Sequence, residues 1–226
     1  MKQAILFANG KVQLPFTLAS YLPTAAVIIA VDGGIHNCLS LGFQPNILIG
    51  DFDSIGDKEL TTFQEGDVDI IRYPTHKDET DLELALQHTI MLGIKDVIIL
   101  GGLGARWDMT IANILLISNP LYKDMNIKFL DGSQELFILK AGEDSKIMGQ
   151  PGDTLSLIPL MGDVRGIRTI GLEYPLNNET LEFGTARGVS NILNYEQVMV
   201  YYQEGLLCCV HRREGNSRES KDREKR

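Results

Sequence analysis

The stretch NILIGDFDS, residues 46–54, joins a short apolar run to two aspartates that bracket a phenylalanine. Ile47, Leu48 and Ile49 follow one another without a polar break, the mark of a strand buried on both faces. Gly50 ends the run. In an extended chain residues i and i+2 project to one side, so Asp51 and Asp53 are expected side by side just past the strand. Two carboxylates so placed repel unless water or a cation compensates. Alone, the stretch reads as a solvated turn, because Gly and Asp are turn formers. Its neighbours decide between these readings.

The same grammar extends to either side. QAILFA (3–8), AVIIAV (26–31), DIIRY (69–73), DVIILGG (96–102) and NIKFLD (126–131) read as further buried strands. DETDLELALQHTIMLG (78–93) is a helix: Leu82, Ala85, Leu86 and Ile90 fall at helical spacing. Thr80 stands three before Glu83 as a capping box, and Gly93 is a stop. MTIANILLIS (109–118) is a second helical stretch, ended near Pro120. Strands alternating with helices specify a mostly parallel α/β sheet, Rossmann-like, which binds ligands beyond the carboxyl ends of its strands.

After residue 132 the pattern changes. QELFIL, DTLSLIPL, VRGIRTIGLEY, TLEFG, QVMVYYQ and LLCCVH are short runs separated by Gly, Pro, Asn and Asp, with no helical period. They predict an antiparallel β-sandwich. The expected organisation is an α/β catalytic domain over 1–132, an all-β domain over 133–211, and a disordered charged tail over 212–226.

The formal net charge of −9 argues against a nucleic-acid or anionic-membrane partner. Three cysteines, Cys38, Cys208 and Cys209, make no disulfide framework, and four scattered histidines make no zinc motif. No apolar run is long enough for a signal peptide or a membrane span, so a cytoplasmic protein is expected.

Acids recur at the strand ends. Asp32 follows strand 26–31 in VDGG, Asp51 and Asp53 follow 46–50, and Asp78 and Asp81 follow 69–73 at a helix start. Asp also caps helices, which accounts for one of the last two but not both. If the strands are parallel, all five carboxylates share one sheet edge and would raise one another's pKa. Mg²⁺ answers that problem, since it takes oxygen ligands and shares carboxylates with substrate phosphates. The pattern therefore points to phosphate chemistry on a nucleotide. GGLGARWDM (101–109) adds a glycine turn before a helix, open to phosphate oxygens. It matches neither the P-loop nor the dinucleotide fingerprint. Arg106 supplies a planar cation suited to phosphate.

In that order, VDGG, IGDFDS, KDETDLELAL and GGLGARWDMTIAN resemble the thiamine pyrophosphokinase family, and RGVSN (187–191) is similar to its second-domain signature. The resemblance implies an α/β catalytic domain followed by a β-sandwich, working as a homodimer with active sites at the subunit interface. It implies transfer of pyrophosphate from ATP to thiamine. Asp51, Asp53 and Asp81 would hold Mg²⁺, with Asp78 as a further candidate ligand. Asp32, Gly33, Gly34, Gly101, Gly102, Gly104 and Arg106 would bind ATP, and Ser190 and Asn191 would lie near thiamine. Asp78, Asp81, Arg106 and Asp108 are the candidate catalytic groups. One departure stands out: Met109 occupies a position where many members carry His, and Met cannot donate a proton. The alternatives are a pyrophosphokinase for another hydroxylated acceptor, such as a hydroxymethylpterin, and a non-catalytic sensor of nucleotide or thiamine diphosphate.

Overall fold

The apolar runs of the first half form six strands: β1 (Gln3–Phe7), β2 (Ala25–Val31), β3 (Ile47–Gly50), β4 (Asp69–Arg72), β5 (Asp96–Leu100) and β6 (Asn126–Asp131). The structure is a computed structural model that describes residues 2–13, 18–21, 25–53, 55–56, 60–61, 63, 66–104 and 106–215. It divides into two compact units between Gly132 and Ser133.

In the first unit the strands lie in the order β6-β5-β1-β2-β3-β4, and every adjacent pair is parallel. The residues of β1 and β3 are buried throughout, as continuous apolar runs require, while edge strand β4 exposes Asp69 and Arg72. Four α-helices are described: α1 (Leu18–Tyr21), α2 (Gly34–Ser40), α3 (Asp81–Met91) and α4 (Trp107–Leu116). At the start of α3 the Thr80 hydroxyl accepts the Glu83 N–H at 3.2 Å, and Gly93 stops the helix with φ +67°. Helix α2 carries no sequence periodicity long enough to reveal it. It is set by Gly34, where a Cβ would stand 1.9 Å from the Phe7 carbonyl oxygen, so only glycine lets the helix start against β1.

The chain runs outward from β1 to β4, then crosses to the other side of β1 for β5 and β6. Strand order therefore reverses between β1 and β5. At such a reversal the loops beyond the carboxyl ends diverge and leave a crevice.

The second unit has two antiparallel sheets. The strands are β7 (Gln134–Leu139), β8 (Ser145–Met148), β9 (Thr154–Pro159), β10 (Val164–Ile170), β11 (Asn177–Leu181), β12 (Asn191–Ile192), β13 (Gln197–Tyr201) and β14 (Leu207–Arg212). One sheet runs β12-β9-β14-β7 and the other β11-β10-β13-β8. In β9 and β13 buried residues alternate with less buried ones, and Leu155, Leu157, Val164, Ile167, Val198, Val200 and Cys209 form the core between the sheets. β8 and β12 are too short to stand out in the sequence. β11 begins at Asn177 rather than at the apolar Leu181, because it is held by register with β10 and not by its own hydrophobicity.

Residues 212–214, expected to open the disordered tail, are held instead. Arg212 ends β14 and pairs with Gln134 and Thr154. The Arg213 N–H donates to the Ser133 carbonyl at 2.9 Å, and the Glu214 N–H donates to Asp153 Oδ1 at 3.0 Å. These contacts centre on a buried group. His211 faces Glu135 Oε1 through Nδ1 at 2.8 Å and Asp153 Oδ2 through Nε2 at 3.1 Å, and Arg213 reaches Glu135 at 3.3 Å. Local charge made this segment look solvated, while a distant buried triad holds it. Residues 216–226 of the expected tail lie outside the described residues.

All three cysteines are buried, and none is in a disulfide. Burial pushes the thiols of Cys38 and Cys208 up to about 12. Among the described residues no helix is long and apolar enough to cross a membrane.

Candidate active site

The crevice at the β1/β5 reversal is a cavity of about 480 Å³. The turn after β1 (Asn9, Gly10, Lys11) and the glycine turn after β5 (Gly101, Gly102, Leu103, Gly104) form two of its walls. Asp32, Thr80, Asp81, Arg106, Met109 and Asn113 complete most of the remainder. The two turns interlock. The Ala8 N–H donates to Leu100 and the Gly10 N–H to Gly101, at 2.8 and 2.9 Å. A Cβ at Gly10 would lie 2.3 Å from the Gly101 oxygen. From α2, the Asn37 side-chain amide donates to both the Ala8 and the Gly10 carbonyls at 2.8 Å.

The glycine turn needs its glycines. Gly101 and Gly104 have φ of +70° and +93°, where a Cβ is strained. The turn is fastened to α4 from above: Asn113 Nδ2 donates to the Gly102 carbonyl at 2.7 Å, and the Gly104 N–H donates to the Thr110 hydroxyl at 3.0 Å.

Next to this cavity the acids gather. Carboxylate oxygens of Asp32, Asp51 and Asp53 lie within 4.8 Å of one another. The local route differs from simple strand alternation. Strand β3 ends at Gly50, and Phe52 takes φ +66° while its side chain is buried. Asp51 accepts the Asp53 N–H at 3.1 Å, closing a tight turn. An anchored aromatic thus turns the acids on either side of it outward together. Asp32 sits in the same left-handed region at φ +47°. A Cβ at Gly50 would stand 3.0 Å from the Asp32 Cα, so glycine there lets the two loops close on each other. Two non-glycine residues in this sparsely populated region are strain concentrated at one place.

Electrostatics mark the same spot. The Asp53 carboxyl is held above its usual range chiefly by Asp51, then by burial, and then by Asp32 and Asp81. This excess negative charge, presented as hard oxygen donors, fits a small divalent cation such as Mg²⁺.

The expected site residues distribute unevenly. Asp32, Asp51 and Asp53 come together, so Asp32, expected on the nucleotide side, joins the carboxylate group. Asp81 stands beside them, lining the cavity and bound to Lys77 at 2.6 Å. Asp78 is exposed and belongs neither to the carboxylate group nor to the cavity wall. Gly101, Gly102, Gly104 and Arg106 line the cavity, whereas Gly33 and Gly34 pack α2 against Asn9 and Phe7. Arg106 grips Asp108 through Nε and Nη2 at 3.2 and 2.5 Å, both side chains well exposed. Hydrogen bonding from Arg106 holds the Asp108 carboxyl below its usual range. Met109 gives the wall an apolar surface.

In the second unit, Asn191 lines a separate cavity of about 340 Å³ with Leu157, Tyr174, Pro175, Leu176, Arg187 and Gly188. Its amide holds Tyr174 at both backbone ends, donating to the carbonyl at 2.7 Å and accepting the N–H at 3.0 Å. Arg187 is paired with Glu179. Ser190 lies beside this wall in the left-handed region, φ +61°, with its N–H on the Ser156 hydroxyl at 3.0 Å.

The sequence reading missed the turn after β1 and Tyr174. Asn9-Gly10 after the first apolar run was a turn signal in plain view. Its relevance needed the strand order.

A parallel α/β unit with a glycine-walled, acid-edged cavity at its switch point, followed by a β-sandwich unit, defines a two-domain protein with the features of a nucleotide-handling transferase. Comparison with known proteins narrows the class. The family model for the thiamin pyrophosphokinase catalytic domain matches residues 18–129, and that for the thiamin pyrophosphokinase vitamin B1 binding domain matches 143–207. The chain belongs to the thiamin pyrophosphokinase family. A thiamine pyrophosphokinase of Bacillus subtilis (strain 168) is 28% identical over 210 residues, covering 93% of this chain and 98% of the relative. The crystal structure of thiamine pyrophosphokinase from Bacillus subtilis superposes with TM-score 0.82 at 26% identity, covering 94% of this chain and 100% of that one. That of the Geobacillus thermodenitrificans protein gives 0.80 at 26% identity, covering 96% and 99%.

Proposed function

We propose that this chain is a thiamine pyrophosphokinase, transferring the pyrophosphoryl group of ATP to the hydroxyl of thiamine. The observation that carries the reading is the meeting of three carboxylates and a glycine-walled cavity at the β1/β5 reversal, within the segment matched by the family's catalytic domain.

Asp32, Asp51 and Asp53 would hold Mg²⁺, with Asp81 beside them. When bound, the ion would screen the phosphate charge that the incoming hydroxyl meets. The protein's own part is mostly placement. The nucleotide lies along the glycine turn, with Met109 and Leu82 as apolar wall. The thiamine oxygen attacks the β-phosphorus, the bond from that phosphorus to the α-β bridging oxygen breaks, and AMP leaves carrying the electron pair. Arg106, on an exposed and movable pairing with Asp108, turns to the transferred group. The hydroxyl proton passes to Asp81, which lines the cavity where Asp78 and Asp108 do not. The β-unit cavity offers an exposed aromatic, Tyr174, beside Asn191 for a cationic heteroaromatic ring.

We infer a homodimer as well. Trp107, Ile111 and Leu115 form a stripe at i, i+4 and i+8 of α4 and are 81%, 57% and 49% exposed, an apolar face suited to a second copy. Three buried thiols, none in a disulfide, fit a cytoplasmic location.

Incubation with ATP, Mg²⁺ and thiamine, followed by separation of nucleotides and thiamine esters, tests the reading. Equal amounts of AMP and thiamine diphosphate are expected. ADP with thiamine monophosphate would overturn the reaction class. AMP release only with a pterin acceptor would favour the rival pyrophosphokinase, and nucleotide binding without turnover would favour a sensor.

A further inference from the structure

The cations around the cavity are unequally committed. Lys77 is tied to Asp81 at 2.6 Å, and Arg106 to Asp108. Lys11 lines the same cavity, and its ammonium has no ion pair or side-chain hydrogen bond to the described residues. Its backbone, by contrast, is fixed from both sides. Gly10 just before it is bonded to Gly101 and to Asn37, and Gln13 just after it accepts the Gly132 N–H at 3.1 Å. A flexible four-carbon stem thus projects from a rigid turn at the reversal between β1 and β5.

Among the described residues, acids outnumber cations in the rest of the site. Asp32, Asp51, Asp53 and Asp81 face or border the cavity, and a divalent cation among them offsets only part of that. A triphosphate entering here brings several further negative charges. An ammonium with three rotatable donors can follow a phosphate chain along the glycine turn without a fixed bidentate geometry.

We propose that Lys11 binds the polyphosphate chain of the nucleotide and holds it along the glycine turn. This deepens the proposed function and rests on the cavity being the polyphosphate site. Lys11 is exposed, so its substitution leaves the fold intact, and melting temperatures of the variants match the wild type. Lys11→Ala raises the KM for ATP at least tenfold and leaves the KM for thiamine within twofold. Lys11→Arg restores most of the affinity. Titration calorimetry with inorganic tripolyphosphate gives a steeper salt dependence for the wild type than for Lys11→Ala, by about one released counterion. Unchanged ATP and tripolyphosphate affinity in Lys11→Ala overturns the assignment while the enzyme reading stands. Equal rises in both KM values overturn it too, since only a general disturbance of the site would produce them. A wild-type protein that binds neither ATP nor tripolyphosphate overturns this proposal together with the reading beneath it.

Discussion

Replacement of Asn37 by Ala tests whether the turn after β1 is a built part of the site. Asn37 lies on α2, outside the cavity wall, and uses both protons of its amide on the Ala8 and Gly10 carbonyls, each at 2.8 Å. A part-buried side-chain hydrogen bond contributes on the order of 1 kcal/mol net, so the loss amounts to about 2 kcal/mol. For a chain of this size each kcal/mol moves the melting temperature by about 2–4 °C, which gives a drop of roughly 4–8 °C by thermal denaturation. The released turn must also be reordered when nucleotide binds. If binding restores the whole of that order, the same ~2 kcal/mol becomes about a thirtyfold weaker apparent affinity, read as KM for ATP at saturating thiamine. Asn37→Asp does worse than Ala, because a carboxylate oxygen would face two carbonyl oxygens and donate to neither. A melting temperature within about 1 °C of wild type with an unchanged KM for ATP would refute the reasoning. A lowered melting temperature with an unchanged KM would show that α2 needs the amide and the site does not.

Other variants probe the remaining features. Asp53→Asn abolishes turnover in the AMP-release assay while the circular dichroism spectrum stays native; an active variant removes the metal assignment. Because its neighbours raise the Asp53 pKa above the usual 3.8, the folded state holds this proton more tightly than the unfolded chain. That stabilisation is complete below the usual value and is lost as pH rises through the raised one. Metal-free wild type therefore loses melting temperature against Asp53→Asn across that window, and Mg²⁺ closes the gap; parallel curves with and without metal would contradict this. His211→Leu removes the imidazole from between the buried Glu135 and Asp153 carboxylates, which keep Arg213 and the Gln150 and Glu214 N–H groups, and destabilises the protein by about 1.5–3 kcal/mol. A denaturant midpoint shift equivalent to under about 1 kcal/mol would mean the triad is not acting as a unit. Ile111→Glu with Leu115→Glu yields monomers by light scattering if α4 carries the subunit contact, and an intact dimer would place that contact elsewhere.

Much of the first unit was legible because its signals are local. Runs such as Ile47–Ile49 have no polar break, and a strand buried on both faces is the arrangement that satisfies them. Thr80, Glu83 and Gly93 announced α3 by cap and stop. The aspartates were also visible, since acids beyond successive strand ends must meet if the strands are parallel. Their route to one another was not. Alternation predicted a shared side for Asp51 and Asp53. The structure reaches that result through a left-handed Phe52 pinned in the core, and sequence spacing cannot tell a strand from a turn that returns the same pair. The tail failed in the opposite direction: Arg212, Arg213 and Glu214 look solvated by composition, and their partners are Gln134, Ser133 and Asp153, some 60 to 80 positions earlier.

The turn after β1 shows why a site can be hidden while each of its residues is ordinary. Asn9-Gly10-Lys11 matches no fingerprint and carries no acid. Its importance comes from β5, the fifth strand in sequence, lying beside β1 rather than beyond β4. That single crossing makes β1 and β5 the strands between which the order reverses, and it places Gly10 against Gly101 too closely for a side chain on either. The acids arrive from the β2 and β3 side, and the glycines and Lys11 from the β1 and β5 side. A polyphosphate laid across the reversal can therefore meet the clustered carboxylates at one end and backbone with an uncommitted ammonium at the other. Neither group could sit there if the sheet simply ran in chain order, because the turn after β1 would then be at an edge, far from the glycine turn. The division of charge within the cavity is a consequence of strand order.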